Sequence, residues 1–326
     1  MAGDVPPMAD DPARPAVSAV IPVHDEVAAL PDFHAELMAA LPAWSDGRVE
    51  LIYVDDGSTD GTADLLEKLH ADAPDVVRVV TLRRNFGKSG ALAAGFSHAR
   101  GEVMVTLDAD GQDVPSEVPK LLARLAQGAD LVGGWRRQRS DRTTKRWASR
   151  VYNAATRALT GLPLHDFNAG IKALRREVAE ELPLYGEFHR FVPVLAHDLG
   201  FRVEEVTVTH RPRRAGTSKY LSFARFPKTL LDLLTVVFLT RFADRPLYLF
   251  GGFGLAMSLL GGAAIGYLVV LKLFTGAGIG TRPLLQLGVV TLLVGVQLVL
   301  VGFLGDVLRH TAAAREPPYR VRRTLP

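Results

Sequence analysis

The stretch VTLDADGQD, residues 105–113, passes from apolar to acidic within a few steps. Val105, Thr106 and Leu107 read as the end of a buried strand, and Asp108, Asp110 and Asp113 follow at once. Two carboxylates one residue apart at a strand end each resist ionisation unless a cation lies between them. A hard divalent ion fits that need. Mg²⁺ or Mn²⁺ takes one or two carboxylates and completes its shell with phosphate oxygens and water. Gln112 can add a neutral oxygen. An Asp-x-Asp pair by itself is a weak sign, so its surroundings decide.

Those surroundings alternate between strand and helix. Residues 17–23, 49–54, 77–82 and 103–107 are continuous Val/Ile/Leu-rich runs, as in a parallel sheet covered on both faces. Helical patterns occupy 27–41, 61–71, 88–100 and 116–127. The order predicts an α/β domain with a doubly wound, mostly parallel, Rossmann-like sheet. Ligands of such sheets bind beyond the carboxyl ends of the strands. There the polar segments PVHDE, DDGSTDGT and RRNFGKSGALAAG converge with the opening stretch. Gly87-Lys88-Ser89 is similar to the tail of a P-loop, but Leu82 stands where that motif needs glycine. The small residues Gly90, Ala91, Ala93, Ala94 and Gly95 are expected to let a helix approach a bound diphosphate.

The C-terminal third has a different character. Leu247 to Leu271 and Leu284 to Gly305 contain no charged residue. Each is long enough for a hydrocarbon core of about 30 Å, which takes about 20 helical residues. Lysine and arginine are dense outside the pair and sparse between, which puts both termini on the cytoplasmic side. Residues 220–242 mix Phe, Leu, Arg and Lys in a run too short to span, and read as a helix lying in the membrane interface. A helix packed on the soluble domain is the plainer reading. Gly254, Ser258, Gly262 and Gly266 recur every four residues, and Gly288, Gly295 and Gly302 every seven. These stripes are expected to pack the hairpin and join protomers.

The 326 residues carry a net charge of +3, unevenly spread. Residues 135–150, 210–228 and the last dozen are basic, which suits phosphate groups or anionic lipid headgroups. No nucleic-acid module or stacking array accompanies them, so nucleic acid is not an expected partner. The chain has no cysteine, which excludes disulfides and thiolate metal sites. Residues 1–16 read as a disordered tail without the apolar core of a signal peptide.

VIPVHDE (20–26), YVDDGSTDGT (53–62) and the run from Arg83 to Val118 together resemble family 2 glycosyltransferases of the GT-A fold. DFNAGIKALRREV (166–178) and HRPRRAGTSKY (210–220), followed by a membrane anchor, narrow the resemblance to polyprenyl-phosphate sugar transferases. That group includes dolichol-phosphate mannose synthases and bacterial undecaprenyl-phosphate transferases. The bacterial type has two C-terminal spans. The resemblance implies a catalytic domain at 17–219, juxtamembrane helices at 220–244, spans at 245–273 and 283–308, and a basic cytoplasmic tail at 309–326. It implies that Pro22, Val23, Glu26 and Asp56 hold the base and ribose of a nucleoside diphosphate sugar, UDP- or GDP-linked. Lys88, Asp108, Arg213 and Lys219 would serve its diphosphate. Asp108, Asp110 and Gln112 would hold Mg²⁺ or Mn²⁺. Asp166 and Asp110 would be catalytic, and Arg142, Arg146 and Ser149 would meet the acceptor phosphate. The expected product is a polyprenyl-monophosphate sugar for cell-envelope glycosylation, made with inversion by a multi-pass protein of the cytoplasmic membrane. A homo-oligomer, a tetramer by resemblance, is also implied.

One departure bears on Asp166. Some relatives carry an Arg/Met-rich stretch after this acid, where the chain has NAGIKALRR. A polyprenyl phosphate is already largely dianionic at neutral pH, its second pKa being about 6. Asp166 is therefore expected to orient the acceptor or an arginine, with proton abstraction the lesser role. Two other readings are a processive polysaccharide synthase and a non-catalytic membrane scaffold. The first expects Gln-x-x-Arg-Trp after the acid, whereas Arg146-Trp147 precedes Asp166 and has Thr143 in place of glutamine. The second conflicts with an intact set of acids and bases.

Overall fold

The computed structural model describes residues 15–45, 48–137, 143–212, 226–242, 245–276, 278–280 and 282–313. The chain divides into two compact units, one ending at Leu233 and the other beginning at Leu234.

In the first unit the four apolar runs pair side by side as β1 (Val17–Val23), β2 (Val49–Asp55), β3 (Val77–Thr81) and β4 (Val103–Thr106). All three of their pairings are parallel. β5 (Leu131–Trp135), β6 (Lys172–Arg175) and β7 (Val203–Thr207) complete a sheet of order β3-β2-β1-β4-β6-β5-β7. β6 is antiparallel to both of its neighbours. It therefore starts at the edge where the parallel strands end. The helices are α1 (Leu30–Ala40), α2 (Thr62–Asp72), α3 (Lys88–His98), α4 (Val118–Ala126), α5 (Thr143–Thr160), α6 (Arg176–Glu181) and α7 (Val192–Asp198). β1 and β2 are buried along almost their whole length, which explains why these strands show no alternation of polar and apolar residues.

The strand order reverses beside β1, and there the sheet splits. β1 stays paired with β2 as far as Val23↔Asp55, but its pairing with β4 runs only from Val17↔Val103 to Val20↔Thr106. Pro22, which has no N–H to donate, lies beyond the last β4 rung and costs that ladder nothing. The split is the topological switch point at which such sheets bind ligands.

One small residue of α3 serves packing on the sheet. A Cβ on Gly95 would come within 2.2 Å of Val20 Cγ1 on β1 and 3.1 Å of Val54 Cγ2 on β2. Gly95 lets α3 lie flat on the sheet, so at this position the small residue serves the core. At the amino edge, Glu50 is buried and accepts from Ser18 Oγ at 2.6 Å, Arg100 N at 2.6 Å and Arg100 Nε at 2.9 Å. Burial works to raise its pKa, but Ser18 and Arg100 outweigh it and hold the carboxyl below the usual range.

α8 (Phe226–Arg241) falls on part of the segment expected to lie in the membrane interface. Its Leu231 and Leu234 are exposed, while Leu233 and Val236 are buried. The second unit holds α9 (Pro246–Thr275) and α10 (Pro283–Ala313), packed as an antiparallel hairpin. Pro246–Thr275 and Pro283–Leu308 are long and apolar enough to cross a membrane. On α9, Gly254, Gly261 and Leu268 are buried, a seven-residue repeat that matches Gly288, Gly295 and Gly302 on α10. A Cβ on Gly261 would lie 2.7 Å from the Gly288 carbonyl oxygen, and one on Gly254 2.6 Å from that of Gly295. Nothing lies within 4 Å of a Cβ on Gly262 or Gly266. The four-residue stripe is thus corrected. A helix in left-handed contact presents a face every 3.5 residues, so the seam passes from Gly254 through Ser258 to Gly261. Gly261→Leu should cost the hairpin at least about 1–3 kcal/mol of overpacking, and Gly262→Leu almost nothing. Thermal unfolding of both variants in detergent checks this, and equal losses would show the seam to be misplaced.

Candidate active site

The loops after β1 and β2 are tied together before any ligand is considered. Asp25 adopts φ 53°, in the left-handed region that aspartate tolerates better than most residues. Its N–H donates to Ser58 Oγ at 3.0 Å, and its Oδ1 accepts from Thr59 N at 2.8 Å. Glu26 N donates to Thr62 Oγ1 at 3.2 Å and Val27 N to Asp60 Oδ2 at 3.2 Å. The loop after β3 joins them through Asp56, whose carboxylate accepts from Phe86 N at 2.7 Å and Gly87 N at 2.9 Å. Pro22, Val23, Glu26 and Asp56 therefore lie in one hydrogen-bonded wall at the carboxyl ends of β1 and β2. Val23 and Asp56 are both buried. Asp56 shapes this wall through the Phe86–Gly87 backbone. The fit is close, since a Cβ on Gly57 (φ 69°) would sit 2.6 Å from the Arg84 carbonyl carbon.

The split between β1 and β4 holds the charged centre. Asp108 and Asp110 flank Ala109 just past β4, both half-buried. Lys88, the first residue of α3, places its Nζ on Asp108 Oδ1. Asp113 is buried, and its Oδ2 accepts from Asp108 N at 3.0 Å. Lys172, at the start of β6, is also buried and donates to the Ala169 carbonyl. Gly170 makes this density possible, because a Cβ there would lie 2.3 Å from Asp113 Oδ2 and 2.7 Å from Asp108 Cγ. Asp110 Oδ1 accepts from Gln112 N at 3.0 Å across a turn that Gly111 (φ 74°) allows. Gln112 Nε2 donates to the Arg211 carbonyl at 3.3 Å.

Burial dominates the electrostatics of Asp108, Asp113, Lys172 and His189, and neighbouring charges reverse its direction only at Asp108. Burial works to raise Asp108, but Lys88, then Lys172, hold its carboxyl below the usual range. Burial, then the charge of Asp108, push Asp113 up to about 7. Burial, then Lys88, push Lys172 down to about 8. His189 hydrogen-bonds Ser89 Oγ through Nδ1 at 3.0 Å, and burial followed by Lys88 lowers its pKa so far that it stays neutral at physiological pH. Asp166 is buried and paired with Arg136, Nε to Oδ2 at 2.7 Å and Nη2 to Oδ1 at 3.0 Å. Arg136 also donates to the Asn168 carbonyl at 3.0 Å.

Among the described residues no group of three or more His, Asp or Glu is arranged to hold a metal. Asp108 and Asp110 form a pair of hard oxygen donors, which fits Mg²⁺ or Mn²⁺ when phosphate oxygens supply the rest. Arg142, Arg213 and Lys219 lie outside the described residues. Arg146 and Ser149 fall on α5, their side chains likewise undescribed. Asp113 stands in the acidic stretch that the sequence marks, whereas Arg136, Lys172, Gly170 and His189 were not singled out from sequence. Arg136 was hidden in a general basic run, and Lys172 and Gly170 in the NAGIKALRR departure. Asp113 meets Asp108 within one turn of chain, while His189 joins the centre through a tertiary contact with Ser89.

The sequence profile of glycosyl transferase family 2 matches residues 18–183. The chain belongs to that family. It is a glycosyltransferase of GT-A fold. It is 36% identical over 302 residues to the dodecaprenyl-phosphate galacturonate synthase of Rhizobium johnstonii, covering 90% of this chain and 88% of the relative. It is 38% identical over 294 residues to the undecaprenyl-phosphate 4-deoxy-4-formamido-L-arabinose transferase of Pseudomonas aeruginosa, covering 90% and 84%. Among solved structures, glucosyl-3-phosphoglycerate synthase from Mycobacterium tuberculosis superimposes with a TM-score of 0.52 at 24% identity, over 70% of this chain and 79% of that one. That structure contains Mn²⁺, UDP-glucose and phosphoglyceric acid. The same enzyme is also known with Mg²⁺ and UDP.

In this glycosyltransferase the closeness of Asp108, Asp113 and Gly170 is testable. Gly170→Ala should push the two carboxylates apart and lower transfer about 100-fold, the scale of an ångström misplacement, with the circular dichroism spectrum unchanged. A variant with full transfer activity would show that this packing is not needed.

Proposed function

We propose that the enzyme moves one sugar from a UDP- or GDP-linked donor to the phosphate of a polyprenyl lipid, with inversion, aided by Mg²⁺ or Mn²⁺. The observation that carries the acceptor class is the breadth of the relatedness. Two relatives named for polyprenyl phosphates align over 90% of the chain, well past the catalytic domain. The strand-end carboxylates, and fold neighbours that bind UDP with Mn²⁺ or Mg²⁺, support the donor class. Two apolar helices support a multi-pass membrane protein, and the lysine and arginine dense outside the pair favour the cytoplasmic membrane with the catalytic domain and both termini cytoplasmic.

The reaction asks little of a base. An acceptor phosphate oxygen forms a bond to the anomeric carbon while the bond to the donor diphosphate breaks, and a dianionic acceptor has no proton to give up. A divalent ion would supply charge neutralisation at the departing diphosphate. Asp108 and Asp110 would hold it, with Lys88, Arg213 and Lys219 adding cations around the diphosphate. Pro22, Val23, Glu26 and the Asp56-held loop would seat the nucleoside. Arg142, Arg146 and Ser149 would hold the acceptor phosphate. Asp166 fixes Arg136 with both oxygens, which favours an orienting role for this acid.

The full chain in detergent should convert undecaprenyl phosphate to a lipid bearing one sugar when UDP- and GDP-sugars are screened, as mass spectrometry would show. Excess EDTA should abolish conversion. No product with any donor, a lipid carrying many sugars, or full activity in EDTA would each overturn the corresponding part of this reading. Asp166→Asn should stay poorly active at every pH. Recovery at alkaline pH would instead make Asp166 a base.

A further inference from the structure

The donor reading leaves open why an ammonium already sits on a carboxylate expected to bind a metal. We propose that Lys88 and the divalent ion compete for Asp108, so that the ion's arrival releases Lys88 to the donor diphosphate. This inference rests on the proposed metal-dependent use of a nucleoside diphosphate sugar.

Lys88 Nζ and Asp108 Oδ1 are in direct contact. A divalent ion bound to the same carboxylate would bring two cations within a few ångströms, in a half-buried place where their repulsion is poorly screened. One of them has to leave, and only Lys88 can. Lys172 is buried on a strand in the sheet and tied to the Ala169 carbonyl. Arg136 is locked to Asp166 by two hydrogen bonds and to Asn168 by a third. Lys88 differs from both. Its backbone is fixed where α3 begins, because Asp56 holds the preceding Gly87 N–H. Its side chain is 30% exposed and has four rotatable carbons with which to swing. The pivot is fixed and the arm is free.

The exchange orders events without a moving loop. While Lys88 neutralises Asp108, the carboxylate pair attracts a lone ion weakly. When the ion comes with a diphosphate, the displaced ammonium finds an anionic partner and loses nothing. Ion and nucleotide should therefore bind cooperatively, each strengthening the other by the same factor.

Lysine labelling of the wild-type full chain in detergent, read by mass spectrometry, tests this directly. Lys88 should be protected without metal, labelled several-fold faster with Mn²⁺ alone, and protected again with Mn²⁺ plus UDP or GDP. In parallel, Lys88→Met should bind Mn²⁺ alone roughly tenfold more tightly by electron paramagnetic resonance, and should lose the cooperativity with nucleotide. If Mn²⁺ binds the wild type without raising Lys88 labelling, the exchange is overturned and the metal-dependent reading stands. A folded Lys88→Met with unchanged Mn²⁺ affinity has the same meaning, and should that variant not fold, the wild-type labelling decides alone. If Mn²⁺ does not bind with or without UDP or GDP, the metal-dependent reading falls and the exchange with it.

Discussion

The site depends on one crowded contact. Gly170 backs directly onto the carboxylates of Asp108 and Asp113, leaving no room for a side chain. Like charges this close, this buried, would drive the strand ends apart unless something absorbed the repulsion. Three things do. Lys88 pairs with Asp108, Lys172 lies in the same buried space, and Asp113 is pushed far enough up to hold a proton part of the time near neutral pH. The antiparallel entry of β6 is the topological reason they meet. A parallel strand in its place would end at this edge, and Lys172 would start at the other.

Around that centre the loops are secured by backbone hydrogen bonds more than by hydrophobic packing. Asp25, Asp56 and Asp60 each spend carboxylate oxygens on N–H groups of a different loop. Such bonds are charge-assisted and directional. They hold the walls of a polar cleft that cannot be filled with apolar side chains. An aspartate that looks from sequence like a ligand contact can also be a strut between loops, as Asp56 is for the Phe86–Gly87 backbone.

The parallel half of the fold was readable because its signals are local. Unbroken Val/Ile/Leu runs separated by helical patterns gave β1 to β4 and α1 to α4 to within a few residues at each end. β5, β6 and β7 carry weaker signals. β5 is LVGGW, whose glycines hide a strand, and β6 is only four residues long. The carboxylate pair stood out because charge beside an apolar run is conspicuous, whereas Asp166 was marked only by the family resemblance. Lys172 and His189 did not, since a lone lysine or histidine becomes informative only once its burial is known. The α9 stripe was legible only in part for another reason, since Gly254 and Ser258 face α10 while Gly262 and Gly266 do not. Glycine spacing alone does not say which face meets the neighbour, and the contact period of paired helices is 3.5, not four.

The pairing of Asp166 with Arg136 links the acceptor's chemistry to the site's architecture. A sugar hydroxyl acceptor must lose a proton to react, so a transferase using one needs a carboxylate with an oxygen free to receive it. A phosphate acceptor arrives ionised, and its difficulty is the opposite: a dianion must approach a donor that already carries a diphosphate. Cations then matter more than bases. An aspartate used to immobilise an arginine serves that need, because a guanidinium held by two hydrogen bonds keeps its direction while its charge stays in the cleft. The same logic accounts for Lys88 and Lys172 crowding the carboxylate pair. For the proposed phosphate acceptor, such a centre would bring anions together, with its acids chiefly positioning the cations.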